Sequence, residues 1–401
     1  MTRKETLMIL GGGVDNEPAM TSLKEHGYRL VLVDGNADAH CFAIADSCGK
    51  FDFRDVEKAI ELARKENVKA VLPTHDRAVA PAAKISEALS LKGASVKSAE
   101  TATSKKLMRK IWLAAGLPSP KFEISSTLED FMKAVKKTGL PAICKPVDDV
   151  GGGSRGVMKI DENTNLEQAY RFAASFSESS EIIVESFYKG LEHSVEVLMK
   201  NGTSTVLMVS DKIKTAPPYR VDKSVMYPTA LNGGALEAVK KIAAEAAGAV
   251  GLVDGAAHVE LCTLPGGEVV LFEIGLRCGG GATPHPIAEQ VTGINQIVEY
   301  AEILLGRGGS GIRPIKKGRG MSYHFITSRP GLLKRVEGFC TASRLPGIIS
   351  SCLTAGEGDT VKELKTSSQR LGFFVACGSN AEEAYERGIE AEKHLHFIYE
   401  G

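Results

Sequence analysis

The sequence predicts an α/β and α+β chain: an alternating strand–helix region, then a strand-rich central region, then a small C-terminal subdomain. Three observations predict this. The 401 residues correspond to two or three domains at roughly 150 residues each. Short apolar runs alternate with helical patterns over the first hundred positions, the rhythm of a parallel sheet with crossover helices. Beyond residue 140, apolar runs joined by glycine-rich turns replace that rhythm, as in antiparallel sheets. The borders fall at 1–100, 101–310 (with an inner subdomain at about 120–190) and 311–401. No internal repeat or low-complexity linker interrupts them.

Taken in order, Thr6–Gly11, Arg29–Asp34 and Ala70–Pro73 read as strands, with helices around Ala19–Glu25 and Val56–Glu66. A helix follows from Lys105 to Ala115, ended by Gly116 and Pro118. Strands are expected at Ala142–Lys145, Val157–Ile160, Ile182–Val184, 256–262 and 269–274, and a closing helix at Asn380–Leu395.

Composition narrows the function. Lys plus Arg total 49 and Asp plus Glu total 49, so no global basic field favours nucleic acid or an anionic membrane. No apolar stretch approaches the roughly 18 residues a membrane span needs, and the N-terminal apolar run is too short for a secretory signal. Eight cysteines without a CxxC pair suit reduced thiols in a cytoplasmic protein better than a zinc site.

Gly11-Gly12-Gly13 follows a strand and precedes a helix, and Asp34 ends the next strand, as in a dinucleotide fingerprint. The third glycine position holds Asn16, however, and Asp15 and Glu17 would repel a pyrophosphate. The expectation is a Rossmann-like domain whose loop faces another ligand or serves only the fold.

The clearest chemistry lies in PAICKPVDDVGGGSRGVMKI. A strand ends in Lys145, the loop Gly151-Gly152-Gly153-Ser154-Arg155-Gly156 follows, and a second strand begins. Glycines let backbone N–H groups approach phosphate oxygens, and Lys145 adds a point charge beside them. A hairpin loop with a surface lysine is the plainer alternative. In VESFYKGLE, a strand leaving the core at Glu185, Ser186 and Tyr188 can border a flat heterocycle, with Glu192 within reach of a sugar hydroxyl.

A second signal is AAHVELCTLPGGEVVLFEIGLRCGGG. If the hairpin closes on Gly266-Gly267, Glu260 and Glu273 are direct cross-strand partners, about 5 Å apart on one face. Two carboxylates so placed need a counter-charge, and magnesium suits them. The alternatives are a solvated face or a shared proton. Arg277, before Gly279-Gly280-Gly281, could neutralise a transferring phosphoryl group or simply pair with one of the glutamates.

These motifs, in this order, resemble the ATP-grasp superfamily. The resemblance covers most of the chain and implies a pre-ATP-grasp domain, an ATP-grasp domain and a closing subdomain like that of biotin carboxylase and amino-acid ligases. It gives Lys105 (or Lys106) and Lys145 to the ATP phosphates and the 151–156 loop, with Gly152, Gly153 and Ser154, to the phosphate-covering flap. It gives Glu185, Ser186 and Tyr188 to the adenine, Glu192 to the ribose, Glu260 and Glu273 to Mg2+ (or Mn2+), and Arg277 to the phosphorylated intermediate. Gly275 stands where many members carry a metal-binding Asn. The implied activity is an ATP-dependent carboxylate–amine ligase that forms an acyl phosphate, with a small-molecule acid and amine as substrates and a homodimer as one assembly. The substrate acid is expected near Arg277, Gly279, Gly280 and His285, under a loop carrying Lys212, Lys214 and Arg220. The rivals are a nucleotide-biosynthesis ligase of the phosphoribosylglycinamide or carbamoyl phosphate type, and an ATP-binding module without ligation.

Overall fold

The computed structural model describes residues 5–148, 153–309, 312–315 and 318–400. The N-terminal region is a four-stranded parallel sheet, ordered Ser47–Gly49, Arg29–Val33, Thr6–Leu10, Val68–Pro73. Its two central strands are buried on both faces, which is why they read as unbroken apolar runs rather than alternating ones. Helices Glu17–Glu25, Val56–Lys65 and Asp76–Ala88 cover it. The last of these was not anticipated, and it carries a site residue.

The inner subdomain is an antiparallel sheet ordered Phe122–Ser125, Ile182–Ser186, Ala142–Pro146, Met158–Ile160. Helices Leu128–Thr138 and Leu166–Ala174 bury Phe131, Ala134, Ala169 and Ala173 against it.

The central sheet has eight antiparallel strands: Val269–Gly275, Gly255–Thr263, Leu191–Lys200, Thr203–Lys214, Asp222–Tyr227, Gly320–Ile326, Gly372–Gly378 and Ile348–Leu353. The last three strands come from beyond residue 311. The expected border there crosses a continuous hydrogen-bonded sheet, so the C-terminal section shares its backbone framework with the centre. A three-stranded sheet of Thr360–Val361, Gly331–Glu337 and His396–Tyr399, together with helix Ala381–Lys393, completes it.

The Glu260–Glu273 hairpin reaches the expected pairing by an unexpected route. The turn is not the two-residue Gly-Gly type. Leu264 N–H donates to Glu268 O and Gly267 N–H to Leu264 O, both at 2.8 Å, so Pro265-Gly266-Gly267 forms a three-residue loop with Gly267 at φ +88°. Near the turn Thr263 pairs with Val269 and Leu261 with Leu271. A bulge at Phe272 then moves the register by one, and Glu260 faces Glu273 directly.

Candidate active site

One cavity of about 670 Å³ lies where the three regions meet. The N-terminal glycine loop, His75 and Asp76 line one side. The inner subdomain and its glycine loop form another, and the central sheet with its C-terminal strands forms the floor and far wall. The first glycine loop therefore does face a ligand space.

Lys105 is the first residue of helix Lys105–Ala114, whose N-cap Ser104 accepts from Leu107 N–H. Met108 and Trp112, one turn apart, are fully buried and anchor this helix. The Lys105 N–H donates to Val147 O at 2.7 Å, so the helix start is fastened to the strand that bears Lys145. Lys105 Nζ reaches Glu273 Oε1 at 3.0 Å.

Lys145 lies on the buried strand Ala142–Pro146, with Nζ 2.7 Å from Glu185 Oε2. Arg109 Nε stands 2.7 Å from the other oxygen of Glu185, as a charge contact without aligned hydrogen-bond geometry. Its Nη2 donates to Phe272 O at 2.6 Å. All three side chains are essentially dry. Burial pulls Lys145 below its ordinary value, only partly offset by Glu185. Burial also works against an ionised Glu185, but Arg109 and Lys145 outweigh it and hold the carboxyl below its usual value. Glu185 thus lines the cavity with its side chain already committed to two cations, rather than free to meet a base. Ser186, Phe187 and Tyr188 line the cavity beside it.

At the metal-binding candidates, Glu260 Oε1 lies 2.5 Å from Lys212 Nζ and 3.5 Å from His258 Nε2. Burial raises Glu260, but Lys212 and His258 outweigh it and hold the carboxyl well below the usual range. Behind it stands a pair absent from the sequence reading. His258 Nδ1 is 2.5 Å from the fully buried Glu196, whose other oxygen accepts from Gly279 N–H and Gln296 Nε2, both at 2.9 Å. Burial opposes charge on His258, and Glu196 overrides it, raising the imidazole to about 9. Among the described residues no cluster of three or more His, Cys, Asp or Glu side chains is arranged to hold a metal unaided. Two carboxylates facing one cavity suit magnesium, which takes one or two protein carboxylates and completes its shell with phosphate oxygens and water.

Glu192 is bracketed by Arg220 Nη2 at 2.6 Å and Lys214 Nζ at 3.1 Å, and Lys214 also reaches Asp222 Oδ1 at 2.9 Å. Burial alone would lower Lys214, but Asp222 and Glu192 hold it above its ordinary value. The glycine loop is tied over this group: Ser154 Oγ donates to Arg220 O at 3.0 Å and Ser367 N–H to Gly153 O at 2.9 Å. Gly152 and Gly151 lie outside the described residues.

Among the described residues, Arg277 forms an ion pair with Asp76. Its Nε and Nη2 grip Asp76 at 2.8 and 2.5 Å in a two-point fork, and its Nη1 donates to Cys278 O at 2.8 Å. This also explains Gly275: a Cβ there would stand 2.5 Å from Asp76 Oδ1, so an Asn would displace the fork. Gly280 lines the cavity. Gly279 does not, because its amide serves Glu196. His285 is also outside the cavity lining; its Nδ1 lies 3.1 Å from both Glu289 Oε2 and Asn295 Nδ2. Asp76, Arg109, His258 and Arg370 were missed. Only THDR, polar residues straight after the strand Val68–Pro73, offered a local signal for Asp76.

The geometry accords with sequence similarity. Residues 138–285 match the ATP-grasp domain family, and residues 324–400 match the L-amino acid ligase C-terminal domain 2 family. The chain thus carries an ATP-grasp domain over residues 138–285. It is similar to alanine–anticapsin ligase of Bacillus subtilis, 28% identical over 305 residues, covering 71% of this chain and 63% of that ligase. It is 28% identical over 312 residues to D-alanine–D-alanine ligase of Bordetella avium, covering 74% of this chain and 91% of that enzyme. The fold matches the crystal structure of an L-amino acid ligase from Bacillus licheniformis with a TM-score of 0.86 at 24% identity, over the whole of both chains. The chain therefore spans less than two thirds of one curated relative and most of another. No helix among the described residues is long and apolar enough to cross a membrane.

Proposed function

We propose that this protein is an ATP-dependent ligase joining a small carboxylic acid to an amine through an acyl phosphate, with release of ADP and phosphate. The observation that carries this reading is the convergence of paired Glu260 and Glu273, Lys105 and Lys145, and the Asp76-held Arg277 on one cavity. Lysines and flap amides would hold the phosphates of ATP, with Ser186 and Tyr188 bordering the base and Glu192 the ribose. Glu260 and Glu273 would hold Mg2+, which would supply positive charge to neutralise the phosphates of the nucleotide.

The substrate carboxylate oxygen attacks the γ-phosphorus. The bond from that phosphorus to the bridging oxygen breaks, and ADP leaves. The amine nitrogen then attacks the acyl carbon, phosphate departs with the C–O electron pair, and one proton leaves the nitrogen. Arg277 faces the negative charge that develops during both transfers, and Asp76 fixes its plane. No protein nucleophile is needed, because positioning and charge stabilisation do the work. Lys105 and Lys212 neutralise Glu273 and Glu260 before the nucleotide arrives, and both are then available to phosphate oxygens.

The test is phosphate release with ATP and magnesium across pairs of amino acids and small carboxylates. The expected result is release that needs both one acid and one amine, with ADP as coproduct. Release independent of any amine, or nucleotide binding with no release across the panel, would count against the proposal.

A further inference from the structure

The cations at the phosphate end of the cavity are already spoken for. Lys105, Lys145, Lys212, Lys214, Arg220 and Arg277 each lie against a carboxylate. Arg370 differs. It reaches the cavity from the C-terminal section, and no carboxylate pairs with it among the described residues. Its Nε and Nη2 both donate to the backbone carbonyl of Asp222, at 3.1 and 2.6 Å. Its guanidinium carbon lies 3.5 Å from the centroid of the Phe325 ring. A guanidinium has five N–H donors, so Nη1 keeps two donors without a hydrogen-bond partner in the described structure. A half-sequestered cation held flat in this way is a prepared receptor for an anion.

The surroundings are rigid and organic rather than phosphate-like. Tyr323 and Phe325 lie 4.5 Å apart between ring centroids, and Phe373 meets Tyr323 edge-on at 5.2 Å. The turn before Arg370 is locked by Gln369 Oε1, which accepts from Lys365 N–H at 2.7 Å and Thr366 N–H at 2.8 Å. The same turn holds the flap through the Ser367–Gly153 hydrogen bond. Burial lowers the proton affinity of Arg370, and the nearby charge of Asp222 offsets this only in part.

We infer that Arg370, stacked on Phe325, is a specificity-determining residue that binds the carboxylate of the amine substrate, so that the nucleophile is an amine that itself carries a carboxylate. This rests on the ligase reading. A phosphoryl oxygen is the other anion that could reach the same fork, and the test separates the two.

The acid–amine pair that supports phosphate release is identified first, with the product's connectivity read by mass spectrometry. The amine partner and its own carboxamide are then compared in the wild-type chain, Arg370→Lys and Arg370→Ala. The inference expects KM for the amine partner to rise about 10- to 100-fold in both variants, with KM for ATP within about twofold. It also expects the wild-type preference for the free carboxylate over the carboxamide to vanish in Arg370→Ala. Phe325→Leu retains the charge and removes the stack, and it should raise the same KM about threefold even if the arginine variants fold poorly. A rise in KM for ATP with the amine KM unchanged would assign the fork to a phosphoryl group and overturn the inference. So would an unchanged carboxamide preference. A wild-type chain that ligates no pair would instead refute the ligase reading, and this inference with it.

Discussion

Two carboxylate–lysine arrangements sit within one cavity, and they differ in access to water. Glu185 is 3% exposed, lies between Arg109 and Lys145, and has both oxygens against cations. Glu260 and Glu273 are 31% and 26% exposed, and the lysines against them, Lys212 and Lys105, also face the ligand space. The first arrangement cannot exchange partners without leaving a bare charge in a dry interior. The second can, because solvent, a metal ion or phosphate oxygens can replace each lysine. The difference separates an acid that fixes two cations in place from acids that can exchange their lysines for a ligand.

The largest effect should come from the exchangeable pair. Glu273→Gln is expected to lower substrate-dependent phosphate release by about 10³-fold, with an unfolding free energy within about 1 kcal/mol of wild type. Kinetics and urea unfolding on the same preparation check both halves. A large stability loss would erase the distinction between the two arrangements.

Glu185→Gln should do the opposite. It leaves Arg109 and Lys145 buried with a weakened partner, so urea unfolding should show a loss of about 3 kcal/mol. A stable Glu185→Gln protein that has lost only nucleotide affinity would move Glu185 into the exchangeable class.

Asp76→Asn sharpens the comparison from the side of Arg277. Asn offers one acceptor oxygen in place of two, so one arm of the fork and the charge partner are both lost, and kcat should fall about tenfold while KM for ATP stays within about twofold. Separate titrations of ATP and acid would show it.

The smallest effect is in pH dependence. The folded-state affinity of Glu185 for a proton is depressed below its ordinary value of 4.5. Its contribution to stability is therefore fully present above about pH 4.5 and is lost as pH falls through the lower, folded-state value. Urea midpoints measured from pH 6 down to pH 3.5 should fall more steeply in wild type than in Glu185→Gln.

The parts of this site that lie within one strand–loop–strand unit were legible in the sequence. Lys145 at the end of an apolar run and Glu260 opposite Glu273 follow from local pattern and turn counting. The count succeeded because two departures cancel: a three-residue turn in place of two, and a bulge at Phe272. The rest of the site comes from contacts distant in sequence. Asp76 meets Arg277 across 201 positions, and Arg109 meets the Phe272 carbonyl across 163. No periodicity encodes such meetings. The partners of Gly279 and His285 are hidden for the same reason: buried Glu196 accepts from the Gly279 amide, and Glu289 and Asn295 lie against the imidazole.

The acyl phosphate is the centre of the account, and isotope transfer tests it most directly. The acid that supports phosphate release is prepared with 18O in its carboxylate and turned over with ATP, magnesium and the amine. The account predicts one 18O atom in each phosphate released, because the attacking carboxylate oxygen leaves with the phosphoryl group. Phosphate free of label, with turnover proceeding, would contradict it.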